Sequence, residues 1–249
     1  MATANSPKSR SSIFSCRSAT SPAMKWIAGL VIVSCSEKST VELTADKTSG
    51  IPSISGTSQY LASPFVTAGD RIYLVGHQNG TFPDIGWHIP GEMGGLWDHP
   101  IKLMDGFAAY ITLEKRGAKF CLDQATTFTN YPMGNSHEFT WEEEGLSVRR
   151  FQFVPDGVEG LVVEFTIRNN GDEAKEMIFS FAGMPDLRPT WLGERTNMKD
   201  AEDDTRFDQE LKAFIAKDRA NPWYTAFGSS EKLLQHKDDI TDCEKGYSP

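Results

Sequence analysis

Between residues 59 and 228 the chain repeats one device: a short strand-like run, a turn rich in Gly, Asn, Asp or Pro, and another run. No apolar repeat of helical period lasts long enough in that span to make an amphipathic helix. A chain with many strands and no covering helices must bury one sheet against another. The expected fold is therefore mainly β, an antiparallel β-sandwich. Residues 71–76 and 107–113 have strand length and composition. Residues 147–155 set Arg150 and Gln152 against Phe151 and Phe153, the alternation of a half-buried strand. In the next run Val163, Phe165 and Ile167 alternate with Glu164, Thr166 and Arg168. Asn169, Asn170, Gly171 and Asp172 then supply a turn, and Met177 to Phe181 is expected to return as the second strand of a hairpin. Residues 213–230 repeat the device around Asn221-Pro222, whereas the charged stretch 198–212 reads as a helical turn or an exposed loop.

The two ends differ from this body. Lys25 precedes an apolar run from Trp26 to Val33, followed by Ser34 and Cys35, the arrangement of a short secretory leader. Ile32-Val33-Ser34-Cys35 resembles the bacterial lipobox, which implies a lipidated Cys35, a polar tether over residues 36–58 and a lipid anchor as the only membrane attachment. Two alternatives stay open. Residues 1–23 are rich in Ser and Arg and lack acids, as transit segments do, and Met24 would also serve as a start. With the leader reading, residues 1–35 are a leader with an N-terminal extension, 59–229 the sandwich, and 230–249 an irregular tail that looks cut short. The expected location is the periplasm or the cell surface.

The formal net charge of −9 argues against a nucleic-acid partner, since such binding needs clustered Lys and Arg. Cys16, Cys35, Cys121 and Cys243 include no C-x-x-C pair, so no structural zinc is expected, and nothing in the spacing supports pairing Cys121 with Cys243.

Chemistry concentrates in residues 70–111, where two Trp, three His, four Asp and seven Gly fall in one stretch. Indole faces stack on the apolar faces of pyranose rings, while imidazole and carboxylate groups answer hydroxyls directionally. Trp87, His88, Trp97, Asp98 and His99 are the candidate sugar-binding residues, on Gly-rich loops that permit close backbone approach. A competing place for both tryptophans is the sandwich core. Asp84, Glu92, Asp98 and Asp105, with His88 and His99, also suggest an acid–base pair or a metal site. Their spacing does not match H-E-x-x-H, and acids in Gly/Pro loops ordinarily cap turns, so no catalytic residue, metal or cofactor is assigned. Arg188 and Arg195, in a polar loop further on, could also reach a substrate.

Gly76-His77-Gln78-Asn79-Gly80, Pro83-Asp84, Gly86-Trp87-His88, Met93-Gly94-Gly95 and the segment 100–107 together resemble the N-terminal β-sandwich domain of bacterial glycoside hydrolase family 63 α-glucosidases. They are also similar to the related proteins called glycogen debranching enzymes. The resemblance spans roughly residues 60–229. It implies a supersandwich-like fold, an α-linked oligosaccharide substrate, and a partner (α/α)6 barrel that carries the two catalytic carboxylates. This chain has no helical hairpins for such a barrel, so the expectation is an accessory domain that hydrolyses nothing by itself. Two other classes fit the same residues: a stand-alone carbohydrate-binding lipoprotein, and a structural sandwich that binds protein.

Overall fold

The computed structural model describes residues 48–87, 91–190, 197–236 and 243 with their side chains, and residues 12–20, 24–29 and 237–238 as backbone. The chain is an antiparallel β-sandwich. One sheet has eight strands. Its path runs from β17 (Gln235–Asp238) through β1 (Ser12–Thr20), β13 (Lys175–Pro189), β7 (Ile101–Leu113), β6 (Gly95–Asp98) and β5 (Ile72–His77) to β4 (Pro64–Ala68), and β8 (Ala118–Cys121) also pairs with β7. The second sheet orders β2 (Met24–Gly29), β12 (Val162–Asn169), β11 (Leu146–Phe153), β10 (Gly134–Trp141), β9 (Thr127–Tyr131) and β3 (Ile54–Ser55). A smaller sheet holds β14 (Asp203–Asp208), β15 (Ala213–Asp218) and β16 (Tyr224–Gly228).

The core lies between the sheets, and period-two alternation fills it. Ile72 and Leu74 of β5, Phe107 and Ile111 of β7, and Phe179 and Phe181 of β13 face Val163, Phe165 and Ile167 of β12. The smaller sheet adds Phe214 and Phe227 to the same core.

The expected hairpin between β12 and β13 is not one. β12 pairs with β11 and β2, whereas β13 pairs with β7 and β1 in the opposite sheet. The Asn169–Asp172 turn therefore arches from sheet to sheet, and the strands meet through side chains: the Phe165 and Phe179 rings lie 4.8 Å apart. Both strands carry a continuous apolar face, so each can satisfy the other by packing without sharing a ladder.

Four segments read otherwise from the sequence are strands. The charged stretch 198–212 contains β14, and the polar tail contains β17. Within the stretch read as a leader, Ser12–Thr20 forms β1 and Met24–Gly29 forms β2, while Cys35 lies outside the described residues. The end of the expected tether is also built in, because Ile54 and Ser55 pair with β9. A short run of β-branched and aromatic residues satisfies strand and leader patterns equally well.

Two further features follow from register. In β11, Leu146 and Val148 face inward, and period two then carries Arg150 and Gln152 into the core while Phe151 and Phe153 point outward. Arg150 is fully buried, donates to the Gly80 carbonyl at 3.0 Å and lies over the rings of Phe82, Phe107 and Phe139. Opposite it sits His137, also fully buried. Cys121 and Cys243, a pairing the sequence left open and did not support, form a disulfide with Cα atoms 5.7 Å apart.

Candidate functional site

The chemistry-bearing patch lies on the outer face of the eight-stranded sheet. Cross-strand register sets Tyr73 of β5 beside Trp97 of β6, Trp97 beside Lys102 of β7, and Lys102 beside Arg188 of β13. This row runs across four strands on the side away from Leu74, Leu96 and Met104, which face the core. Register breaks in β6–β7 and β7–β13 at this point bend the strands and re-aim their side chains.

The loop between β5 and β6 folds over the row. It is closed by its own backbone: Met93 and Gly94 N–H donate to the Ile85 carbonyl at 2.8 and 3.2 Å. The Trp87 N–H donates to Glu92 Oε1 at 2.7 Å. Trp87 stands outside this closure with its side chain 86% exposed. Trp97 is the opposite case. It is 1% exposed, its indole N–H donates to the Gly94 carbonyl at 2.8 Å, and its ring stacks parallel to Tyr73. That burial leaves Trp97 no open face for a sugar, so it supports the loop instead.

Beneath the loop lies a cluster of charge. Lys102 is 1% exposed and its ammonium donates to the Gly91 carbonyl at 3.0 Å and to Asp105, with Asp186 at 3.5 Å. Arg188 Nε lies 3.3 Å from the same Asp186 oxygen. Gly91 has φ +76°, and the space where its Cβ would be is ringed by Arg188 Nη2 at 3.0 Å, Asp84 Oδ1 at 3.3 Å and Lys102 Nζ at 3.3 Å. Only glycine suits that position, because both the backbone and the surrounding charges exclude a side chain.

Asp186 is the most perturbed group. Burial first, then the neighbouring charge of Asp105, push its carboxyl up to about 7, and Lys102 and Arg188 offset only part of this. A side-chain hydrogen bond to Asp105 favours the acid form of Asp186 further. That contact is too close for a glycosidase pair, which needs roughly 5 Å or more between carboxyl groups. Asp203, which accepts the Leu187 N–H at 2.8 Å, is raised to about 6, chiefly by burial.

The remaining sequence candidates do not join this cluster. Asp98 and His99 sit at the far end of β6 from the loop, about 10 Å along the strand. Asp98 is 3.6 Å from Arg71, which also reaches Glu159, and His99 is exposed. His88 and Arg195 lie outside the described residues. Sequence reasoning weighed Asp84 and Asp105 for an acid–base pair or a metal site, assigned them no role, and missed Lys102 and Asp186. Nothing local marks them, since they come from β7 and β13, more than 80 residues apart and joined by register. Among the described residues no group of three or more His, Cys, Asp or Glu is arranged to hold a metal ion.

The fold and surface thus define an antiparallel sandwich carrying an aromatic loop over a mixed-charge row. No family model, curated protein or solved structure matches the chain.

Proposed function

We propose that this chain is a carbohydrate-contacting β-sandwich, the accessory domain of an exported glycosidase acting on α-linked oligosaccharides. One observation carries the reading: a large indole held almost fully in solvent on a loop closed by its own backbone. A Trp so exposed costs solubility unless it meets a ligand, and here polar groups able to bind hydroxyls lie beneath the same loop. Residues 76–107, which carry the resemblance to family 63 hydrolases, supply this loop and, in the row below it, Trp97 and Lys102. The Cys121–Cys243 disulfide supports an oxidising compartment, and with it export.

The test is calorimetric titration of the intact chain with α-glucan oligosaccharides. Trp87→Ala should weaken binding by about 1 to 3 kcal/mol, the range for aromatic stacking on flat ligands, with an unchanged melting temperature. Trp97→Ala should instead lower stability by about 3 to 5 kcal/mol. Oligosaccharide binding that ignores Trp87 would sink the proposal. Turnover of any glucoside by this chain would move it from accessory domain to enzyme.

A further inference from the structure

We propose that β4 is a self-pairing edge: two copies of this chain join β4 to β4, antiparallel about a two-fold axis centred on Val66, so that the eight-stranded sheet runs on through both. The inference is independent of the carbohydrate reading.

The edge is open. β4 ends its sheet, and among the described residues it pairs only with β5. The Gln78 N–H donates to the Ser63 carbonyl and the Gly69 N–H to the Ile72 carbonyl, each at 3.0 Å. Antiparallel ladders alternate, so residues 63, 65, 67 and 69 direct their backbone groups at β5, while Pro64, Val66 and Ala68 turn theirs outward. These three residues are exposed, whereas Phe65 and Thr67 are buried. The Phe65 ring packs 5.6 Å from that of Phe128 in β9, which sets the open edges of the two sheets, β4 and β3, on one side of the sandwich. Ile54 of β3, Val66 of β4 and Tyr60 between them in the chain are each more than half exposed.

Charge names the partner. Residues 48–69, which hold both edges, contain no Asp, Glu, Lys, Arg or His, in a chain of net charge −9. The opposite ends of the same two sheets are guarded in the usual way: β17 carries Lys237 and Asp238, and β2 carries Lys25. A two-fold axis brings like charges of an interface together, so an acidic protein meets its own copy best where charge is absent. Val66 then faces Val66 of the other copy, and the two exchange both backbone hydrogen bonds, while each Ala68 N–H reaches a Pro64 carbonyl. Pro64 has no N–H to offer, so the ladder stops there. In this register Asp70 falls opposite Ala62 of the other copy and meets no acid. With both β4 edges used, the assembly closes at two.

Sedimentation velocity of the intact chain from about 1 to about 100 µM, the span in which a contact as small as one edge strand dissociates, should show monomer giving way to dimer. Val66→Lys sets two ammonium groups face to face and should weaken association at least about ten-fold. Val66→Pro removes the central N–H donor without adding charge and should weaken it by a similar factor. Leu211→Lys, at a position also more than half exposed but beyond β14, should leave association unchanged. Melting curves of the dilute variants check that each keeps its fold, and Val66→Lys carries the test where Val66→Pro does not. Hydrogen exchange at the Val66 and Ala68 amides should slow as the dimer forms. A chain that stays monomeric at the top of the range, a dimer indifferent to Val66→Lys, or growth beyond two copies overturns the inference.

Discussion

Replacing Asp186 by Asn should make the protein more stable in alkaline solution and should change it little in acid. The folded chain holds this carboxyl's proton up to about pH 7, whereas the unfolded chain releases it near the ordinary value of 3.8. Between those limits the folded state binds more protons than the unfolded state, so stability falls as pH rises from about 4 to about 7 and stays low above that. A gap of roughly three pKa units corresponds to about 4 kcal/mol, the cost of ionising a carboxyl that is four-fifths buried beside Asp105. Asn fills the same space and never ionises, so the variant escapes that cost. Urea denaturation of both proteins at about pH 5, 6, 7 and 8 gives the comparison, and the difference between them cancels the titrating groups that do not touch Asp186. The variant should pull ahead steadily, by up to about 4 kcal/mol at the alkaline end. Parallel pH profiles, or a variant less stable at about pH 8, would show that attraction to Lys102 and Arg188 outweighs burial and would refute the assignment.

His137 gives the opposite slope. Burial, then the charge of Arg150, hold its pKa well below 6.5, so stability is lost as pH falls below that value; His137→Leu should flatten that acid-side loss in the same denaturation series. The disulfide spans 122 residues, and chain entropy assigns such a loop about 5 kcal/mol, so reduction or Cys121→Ser should lower the melting temperature markedly. An unchanged melting curve after verified reduction would mean that the unfolded chain is already compact there. Lipidation at Cys35 would remove residues 1–34 and with them β1 and β2, so N-terminal sequencing of the mature protein separates the two readings: a chain that begins at Cys35 lacks those strands, and one that retains Ser12 refutes the lipid anchor.

The fold class was legible because alternation is a local property. Val163, Phe165 and Ile167 announce a buried face whatever the neighbouring strand turns out to be. Partnership is not local, which is why the turn after Asn169 suggested a hairpin and formed an arch. Orientation failed for a similar reason at β11, where Leu146 and Val148 outvote Phe151 and Phe153 and bring Arg150 inside. The candidate site was half legible. Its aromatic loop lies in one stretch of sequence, so Trp87 could be singled out, but the choice between exposed Trp87 and buried Trp97 depends on which side of the sheet the loop closes over. Lys102 looks like an ordinary surface lysine until β6 and β13 are laid on either side of it.

The position of β1 bears on the order in which the protein can assemble. β1 lies between β13 and β17, and β2 lies against β12, so the earliest-made strands have partners made only from Val162 onward. At ordinary rates of synthesis the N-terminal stretch then waits on the order of ten seconds without a ladder to join. During that interval Ser12–Thr20 and Met24–Gly29 have no strand beside them. Once β12 and β13 have been made, residues 12–20 and 24–29 are taken up in their ladders. The N-terminal strands thus join both sheets only late in synthesis, and β17 then covers the free edge of β1.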